Sequence, residues 1–149
     1  MAEQAQQQKP FLQKVMDQGQ LQTPNEAQVA ANVVFRILRD MLSRDTRDRV
    51  KADLHTKDPI ADMEIADLWE DTNVMVSFFS RLSPAQDLHI SPGVFMLRLK
   101  QEAALPTEVA PETVAKAVFS ATKDELPQAR IQEVASALPN EVRQLWEQA

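Results

Sequence analysis

Displaced by 84 residues, the chain overlays itself without a gap from Phe11 to Leu54, with ten identities in the 44 aligned pairs. Phe11 falls on Phe95, Leu21 on Leu105, Thr23 on Thr107 and Ala31 on Ala115. Val34, Phe35, Asp40, Leu42, Val50 and Leu54 then meet Val118, Phe119, Asp124, Leu126, Val134 and Leu138. Most of these pairs are apolar and helically spaced, as expected of two copies of one small helical unit held mainly by packing constraints. The pattern predicts two tandem repeats related by a pseudo-twofold axis, over about residues 10–82 and 91–149, with a linker at 83–90 and a flexible tail at 1–9. A unit of about 75 residues is near the lower size limit for an independent core. The copies are therefore expected to share one core within a single domain.

Two glycines, nine prolines, no tyrosine and 44% hydrophobic residues suit helices joined by proline-marked turns better than a sheet of tight hairpins. The expected fold is all-α, a bundle of about eight helices. Cysteine is absent, which excludes disulfides, thiolate metal sites and cysteine nucleophiles. The first ten residues are glutamine-rich with no apolar stretch of the signal-peptide kind, and no segment approaches the ~18 apolar residues of a membrane span. A soluble, cytoplasmic protein is expected. A formal net charge of -6 and a pI of about 4.9 argue against nucleic acid as partner.

The first helix is expected over about 10–18, stopping at Gly19. Thr23, Pro24 and Glu26 form a capping-box start for a second helix reaching Leu42, whose wide apolar arc of Ala30, Val33, Val34, Ile37, Leu38 and Met41 predicts a central position. Gln28, Asn32, Arg36 and Arg39 are left toward water. Asp45 opens a third helix carrying Val50 and Leu54 inward, and Asp58 and Pro59 start a fourth with Ile60, Met63, Ile65, Leu68 and Trp69 as its apolar set. Val74 to Leu82 reads as a short apolar helix, with a strand equally compatible for Val74 to Phe79. The second copy is expected as helices over about 92–103, 111–126, 127–138 and 140–148. Leu138 precedes Leu145-Trp146-Glu147 by seven residues, whereas Leu54 precedes Leu68-Trp69-Glu70 by fourteen, so the first copy carries a seven-residue insertion.

With these pieces in place, the chain resembles the bacterial family called domain of unknown function 2267, and looks most like its cyanobacterial members. The resemblance covers nearly the whole chain. It rests on Phe11-Leu12-Gln13-Lys14-Val15, on Val34 to Asp40, on Ile65-Ala66-Asp67-Leu68-Trp69, on Ala117 to Leu126 and on the ending Leu138-Pro139 through Arg143-Gln144-Leu145-Trp146. These are packing signatures. The resemblance implies a small helical fold and brings no reaction or catalytic residue. The family's usual aromatic and glycine-containing joint between repeats has become Phe78-Phe79-Ser80-Arg81-Leu82-Ser83 here.

No motif identifies a reaction, and no catalytic, cofactor-binding or metal-ligating residue is assigned. His55 with Asp58 and Asp62, and His89 with Asp87 and Ser91, lie at helix ends or in linkers, where a solvated position is favoured over a metal site or a nucleophilic triad. Gly19 and Gly93 stand alone, so no phosphate-cradling loop exists. Arg36, Arg39, Arg44, Arg47 and Arg49 are interleaved with Asp40, Asp45 and Asp48 at helical pair spacing, which reads as a solvated face laced with weak ion pairs. Glu125 and Thr122 stand where the first copy has Met41 and Leu38, where a helix end reaching water is favoured over a site opening there. Trp69 and Trp146 share a Leu-Trp-Glu context that favours core packing over a surface hot spot.

The expected function is a non-enzymatic protein-interaction or regulatory module with a protein partner. The alternatives are a small-molecule binder or enzyme with a pocket between the repeats, and a homo-oligomer using the apolar run near Phe78. The candidate partner-binding residues are Asp58, Asp62, Glu64, Asp67, Glu70 and Asp71, because the feature present in only one copy is free to serve something beyond the fold.

Overall fold

The computed structural model describes residues 10–59, 63–70 and 92–149, and over these it is mostly helical. Helix α1 spans Phe11–Gly19 and buries Phe11, Leu12 and Val15. It runs one residue further than the glycine stop predicted, because Gln20 rather than Gly19 takes the left-handed conformation, with φ 60°. The Leu21 amide then donates to the Met16 carbonyl at 3.0 Å, the bond that closes a Schellman-type end. Helix α2, Pro24–Met41, starts at the predicted capping box: Thr23 accepts from the Glu26 amide at 3.1 Å and Glu26 accepts from the Thr23 amide at 3.2 Å. Its buried arc includes Ala27, Ala30, Val34, Phe35 and Leu38, and α2 touches helices on several sides. Gln28, Asn32, Arg36 and Arg39 are half-buried rather than fully in water.

Helix α3, Arg44–Asp53, is capped by the Ser43 hydroxyl, which accepts from the Thr46 amide at 3.2 Å, and it turns Val50 inward. The fourth helix predicted from Asp58 begins seven residues later. A short antiparallel hairpin comes first, β1 (Lys57–Asp58) paired with β2 (Met63–Glu64), and α4 is Ile65–Glu70. The Ile65 amide donates to the Thr56 carbonyl at 3.0 Å and the Ala66 amide to the Leu54 carbonyl at 2.7 Å. Chain preceding the hairpin thus satisfies first-turn donors that an isolated helix would leave open. The apolar run Val74 to Phe79 and the linker 83–90 lie outside the described residues.

Helices α5 (Pro92–Glu102), α6 (Pro111–Lys123), α7 (Gln128–Ala137) and α8 (Asn140–Gln148) complete the order. α6 ends three residues before the predicted Leu126, because the Glu125 and Leu126 amides turn back to the Thr122 and Lys123 carbonyls at 2.9 and 3.2 Å.

The buried apolar side chains form one contiguous cluster drawn from residues on both sides of the 71–91 segment. Two aromatic rows run through it. Phe11 stacks on Phe35 with centroids 5.7 Å apart, and Phe35 meets Trp69 edge-on at 5.2 Å. Phe95 meets Phe119 at 5.8 Å, and Phe119 meets Trp146 at 5.3 Å. Both tryptophans are core residues, at 3% and 1% exposure.

The most extensive helix contact joins α1 to α6, and α5 lies against both α2 and α6. Charged side chains close the margins of this contact: Lys14 pairs with Asp124, Arg98 with Asp40 at 3.0 Å, and Arg36 with Glu102 at 2.9 Å. Burial works against the charge of Arg98, but hydrogen bonds to Glu102 and Asp40 outweigh it and raise its pKa.

Candidate functional site

The insertion between Leu54 and Leu68 is the feature expected in only one copy, and its first acid is structural. Asp58 is 1% exposed, and its Oδ2 accepts from the Leu12 amide at 2.8 Å. Helix α1 begins at Phe11 after Pro10, which provides no side-chain cap. The carboxyl from the hairpin takes that role, where the helix dipole also favours it. In the later half no such device is needed. Helix α5 starts at Pro92, three residues before Phe95, so the amide of Met96, the counterpart of Leu12 in the overlay, lies inside the helix. Burial therefore removes Asp58 from the expected acidic face.

Glu70 pairs with Lys51 at 2.7 Å, and its carbonyl accepts from Arg39 Nη1 at 2.9 Å. The hydrogen bond from Lys51 to the Glu70 carboxylate is the leading cause of a raised Lys51 pKa. Asp62 and Asp71 lie outside the described residues. Glu64 and Asp67 remain: both are exposed, three residues apart where β2 runs into α4, and neither joins an ion pair among the described residues.

A denser polar cluster, which sequence reasoning did not single out, lies where α3 meets α7. Glu133 accepts from Arg49 Nε at 2.9 Å and Nη2 at 2.5 Å, from the buried Thr46 hydroxyl at 2.9 Å and from Arg130 Nη1 at 2.6 Å. Arg130 Nε also binds Asp53 at 2.7 Å. The missed signal was available: in the overlay Arg49 falls on Glu133, opposite charges at one aligned position. Arg36 and Arg49 are each bonded to a carboxylate from the later half, and Arg49 and Arg44 remain exposed.

The hydrogen bonds from Arg49, Thr46 and Arg130, in that order, hold the Glu133 pKa down to about 2. A carboxylate whose folded pKa lies below its unfolded value of about 4.3 stabilises the fold above that value and loses the contribution as pH falls toward the folded one. Glu133→Gln should therefore be less stable than wild type at pH 7, and the gap should close between about pH 5 and pH 2. Urea titrations at stepped pH read this directly; a gap that stays constant with pH would show that the charge of Glu133 is not what matters.

The family described as Uncharacterized conserved protein (DUF2267) matches residues 8–145. The chain belongs to that family. A comparison with curated proteins finds no match. The DUF2267 description carries no reaction.

In this DUF2267 chain His55 is exposed beside a buried Asp58, and no three His, Asp or Glu side chains among the described residues converge as a metal-binding group. His89, Asp87 and Ser91 lie outside the described residues. Thr122 is buried and donates to the Val118 carbonyl at 2.6 Å, so this position does not reach water as expected. Lys123 Nζ donates to the Trp146 carbonyl at 2.6 Å and sits 5.8 Å from that indole's centroid; burial pushes its pKa down. A cavity of about 230 Å³ lies between the turn after α1 and the turn before α6, lined by Gln20, Gln22, Glu26, Pro106, Glu108 and Val109. No helix among the described residues is long and apolar enough to cross a membrane.

Proposed function

We propose that this DUF2267 protein is a non-enzymatic helical interaction module of the cytoplasm, docking a basic protein partner along the edge that carries Glu64 and Asp67. The observation that carries the reading is how the acids of the one-sided insertion are used. Asp58 is consumed by the α1 terminus and Glu70 by Lys51, while Glu64 and Asp67 stay exposed and outside the ion pairs of the described residues. The sequence adds Asp62 and Asp71 of the same sign on either side. Lys57 lies across the hairpin from Glu64 and Lys51 pairs with Glu70, so acids outnumber the basic groups here, and such an excess attracts a cationic partner and accelerates its encounter at low salt. The net charge of -6 and the pairing of Arg36 with Glu102 and of Arg49 with Glu133 disfavour nucleic acid as that partner.

The scaffold behind this edge we read as two tandem repeats related by a pseudo-twofold axis. Several features recurring at an offset of 84 residues support it. Among the described residues Gln20 and Ala104 are the non-glycine residues with positive φ, and each is followed by a matching bond, Leu21 amide to Met16 carbonyl and Leu105 amide to Lys100 carbonyl. The two aromatic rows correspond residue by residue through their phenylalanines. Assignment to a cyanobacterial type within the family rests on the quoted motifs alone.

Neutralising Asp62, Glu64 and Asp67 to their amides should leave far-UV circular dichroism and melting unchanged. It should weaken affinity capture of the partner from native extract about tenfold or more, with wild-type capture falling steeply as salt rises. Capture equal to wild type would return this edge to ordinary solvated surface. The cavity between the Gln20 and Val109 segments favours a second reading, a small-molecule site between the repeats. A thermal-shift screen of small polar ligands addresses it, with Glu108→Gln expected to abolish any shift.

A further inference from the structure

The cavity between the turn after α1 and the turn before α6 carries charge of one sign. Gln20, Gln22 and Glu26 form one wall, Pro106, Glu108 and Val109 the other, and no basic side chain lines it. Glu26 is fixed by the capping box of α2, in which a single oxygen, Oε1, accepts from the Gln22 amide at 2.9 Å and from the Thr23 amide at 3.2 Å. Its Oε2 takes no part in those bonds, which leaves one oxygen of a well-held carboxylate able to accept. Glu108, on the other wall, is exposed and enters no hydrogen bond or ion pair among the described residues. Val109 is 7% exposed and Pro106 half-buried, so the same wall also has an apolar part. Neither acid recurs in the overlay: Glu26 falls on Ala110, and Pro24 on Glu108.

We infer that this cavity, read as a small-molecule site, takes a short aliphatic diamine in its ammonium form, a ligand class that rests on that reading. An ammonium group brings three donors and no acceptor. The walls answer with two carboxylates and two glutamine amide oxygens, and hydrogen bonds between ions of opposite charge are about twice as strong as neutral ones. With one carboxylate on each wall, a diamine satisfies both, and its methylenes have Pro106 and Val109 to lie against. The volume of about 230 Å³ is below the ~300–1,000 Å³ of sites for drug-sized molecules and equals about seven water volumes, which suits a chain of a few carbons. An anion finds no cationic side chain here, and the Gln22 and Thr23 amides already donate to Glu26. A metal ion fits less well, because no three His, Asp or Glu side chains among the described residues converge. The site is separate from the Glu64 and Asp67 edge.

Calorimetric titration of the full chain with 1,4-diaminobutane, butylamine, 1-butanol and butyrate tests the charge requirement at nearly constant size. The diamine should bind with a Kd on the order of 0.1 mM and butylamine about tenfold more weakly, while butanol and butyrate should not saturate by about 10 mM. Amide chemical shifts should move at Gln22, Glu108 and Val109. Glu108→Gln and Glu26→Gln should each weaken the diamine about tenfold or more, as expected for losing one charged hydrogen bond. Melting without ligand should stay at the wild-type value in both, since Glu108 is exposed and glutamine at position 26 still completes a capping box. If Glu26→Gln loosens the fold, Glu108→Gln alone decides. Variants that bind the diamine as wild type does, amines that bind no better than butanol or butyrate, or shifts equally large at Glu64 and Asp67 overturn the diamine assignment. Saturable binding of butanol or butyrate with shifts at Val109, and none from the amines, keeps a small-molecule site and discards its cationic ligand. Binding by none of the four removes both.

Discussion

Trp146→Ala is expected to lower stability by about 3–5 kcal/mol, the range for deleting a large buried aromatic. The side chain is 1% exposed, meets Phe119 edge-on at 5.3 Å, and donates its indole hydrogen to the Ile131 carbonyl at 3.1 Å. Truncation would therefore open a cavity and leave that carbonyl without its donor. Trp146→Phe should cost less, because a ring still fills most of the space. The alanine variant also leaves Trp69 as the sole tryptophan. If the core is cooperative across both halves, Trp69 fluorescence and far-UV circular dichroism should report the same urea midpoint. A loss under about 1 kcal/mol, or midpoints that separate, would contradict the packing described for the contiguous cluster.

Asp58→Ala is expected to cost about 1.5–3 kcal/mol, combining the loss of a helix cap with the burial of an unanswered amide. Asp58→Asn should lose much less, since an amide oxygen still accepts from Leu12. Native-state hydrogen exchange gives the local readout: the Leu12 amide, bonded to Asp58 Oδ2 at 2.8 Å, should exchange faster in the alanine variant by more than the global loss of stability accounts for. An alanine variant as stable as wild type would mean that the hairpin does not hold α1.

The helical class, the capping box at Thr23 and Glu26 and the central α2 were legible because each depends on periodicity or on residues three apart. Trp69 and Trp146 were legible as core from their shared apolar context. The hairpin was not. Two-residue strands leave no alternation to read, and Asp58-Pro59 resembles a helix start as much as it does a turn. Asp58 itself was misread because its partner is the amide of Leu12, 46 positions away, and backbone donors have no sequence signature. Arg36 and Arg49 looked self-paired because local spacing was the only geometry the sequence supplies, whereas their carboxylates come from 66 and 84 residues downstream. Of the candidate site, Glu64 and Asp67 were legible as exposed acids, and Glu70 proved tied to Lys51.

The cap on α1 also bears on the order in which the molecule acquires its structure. A helix of nine residues is too short to persist in water by itself. The group that closes its first turn is Asp58, made 46 residues later, and the helix against which it packs most extensively is α6, later still. By contrast, the capping box of α2 and the Ser43 cap of α3 are complete as soon as their own first turns exist. Phe11 finds Phe35 within the earlier half, but the Asp58 cap and the α6 face come from chain made later, so α1 is completed after α2 and α3 have their own caps.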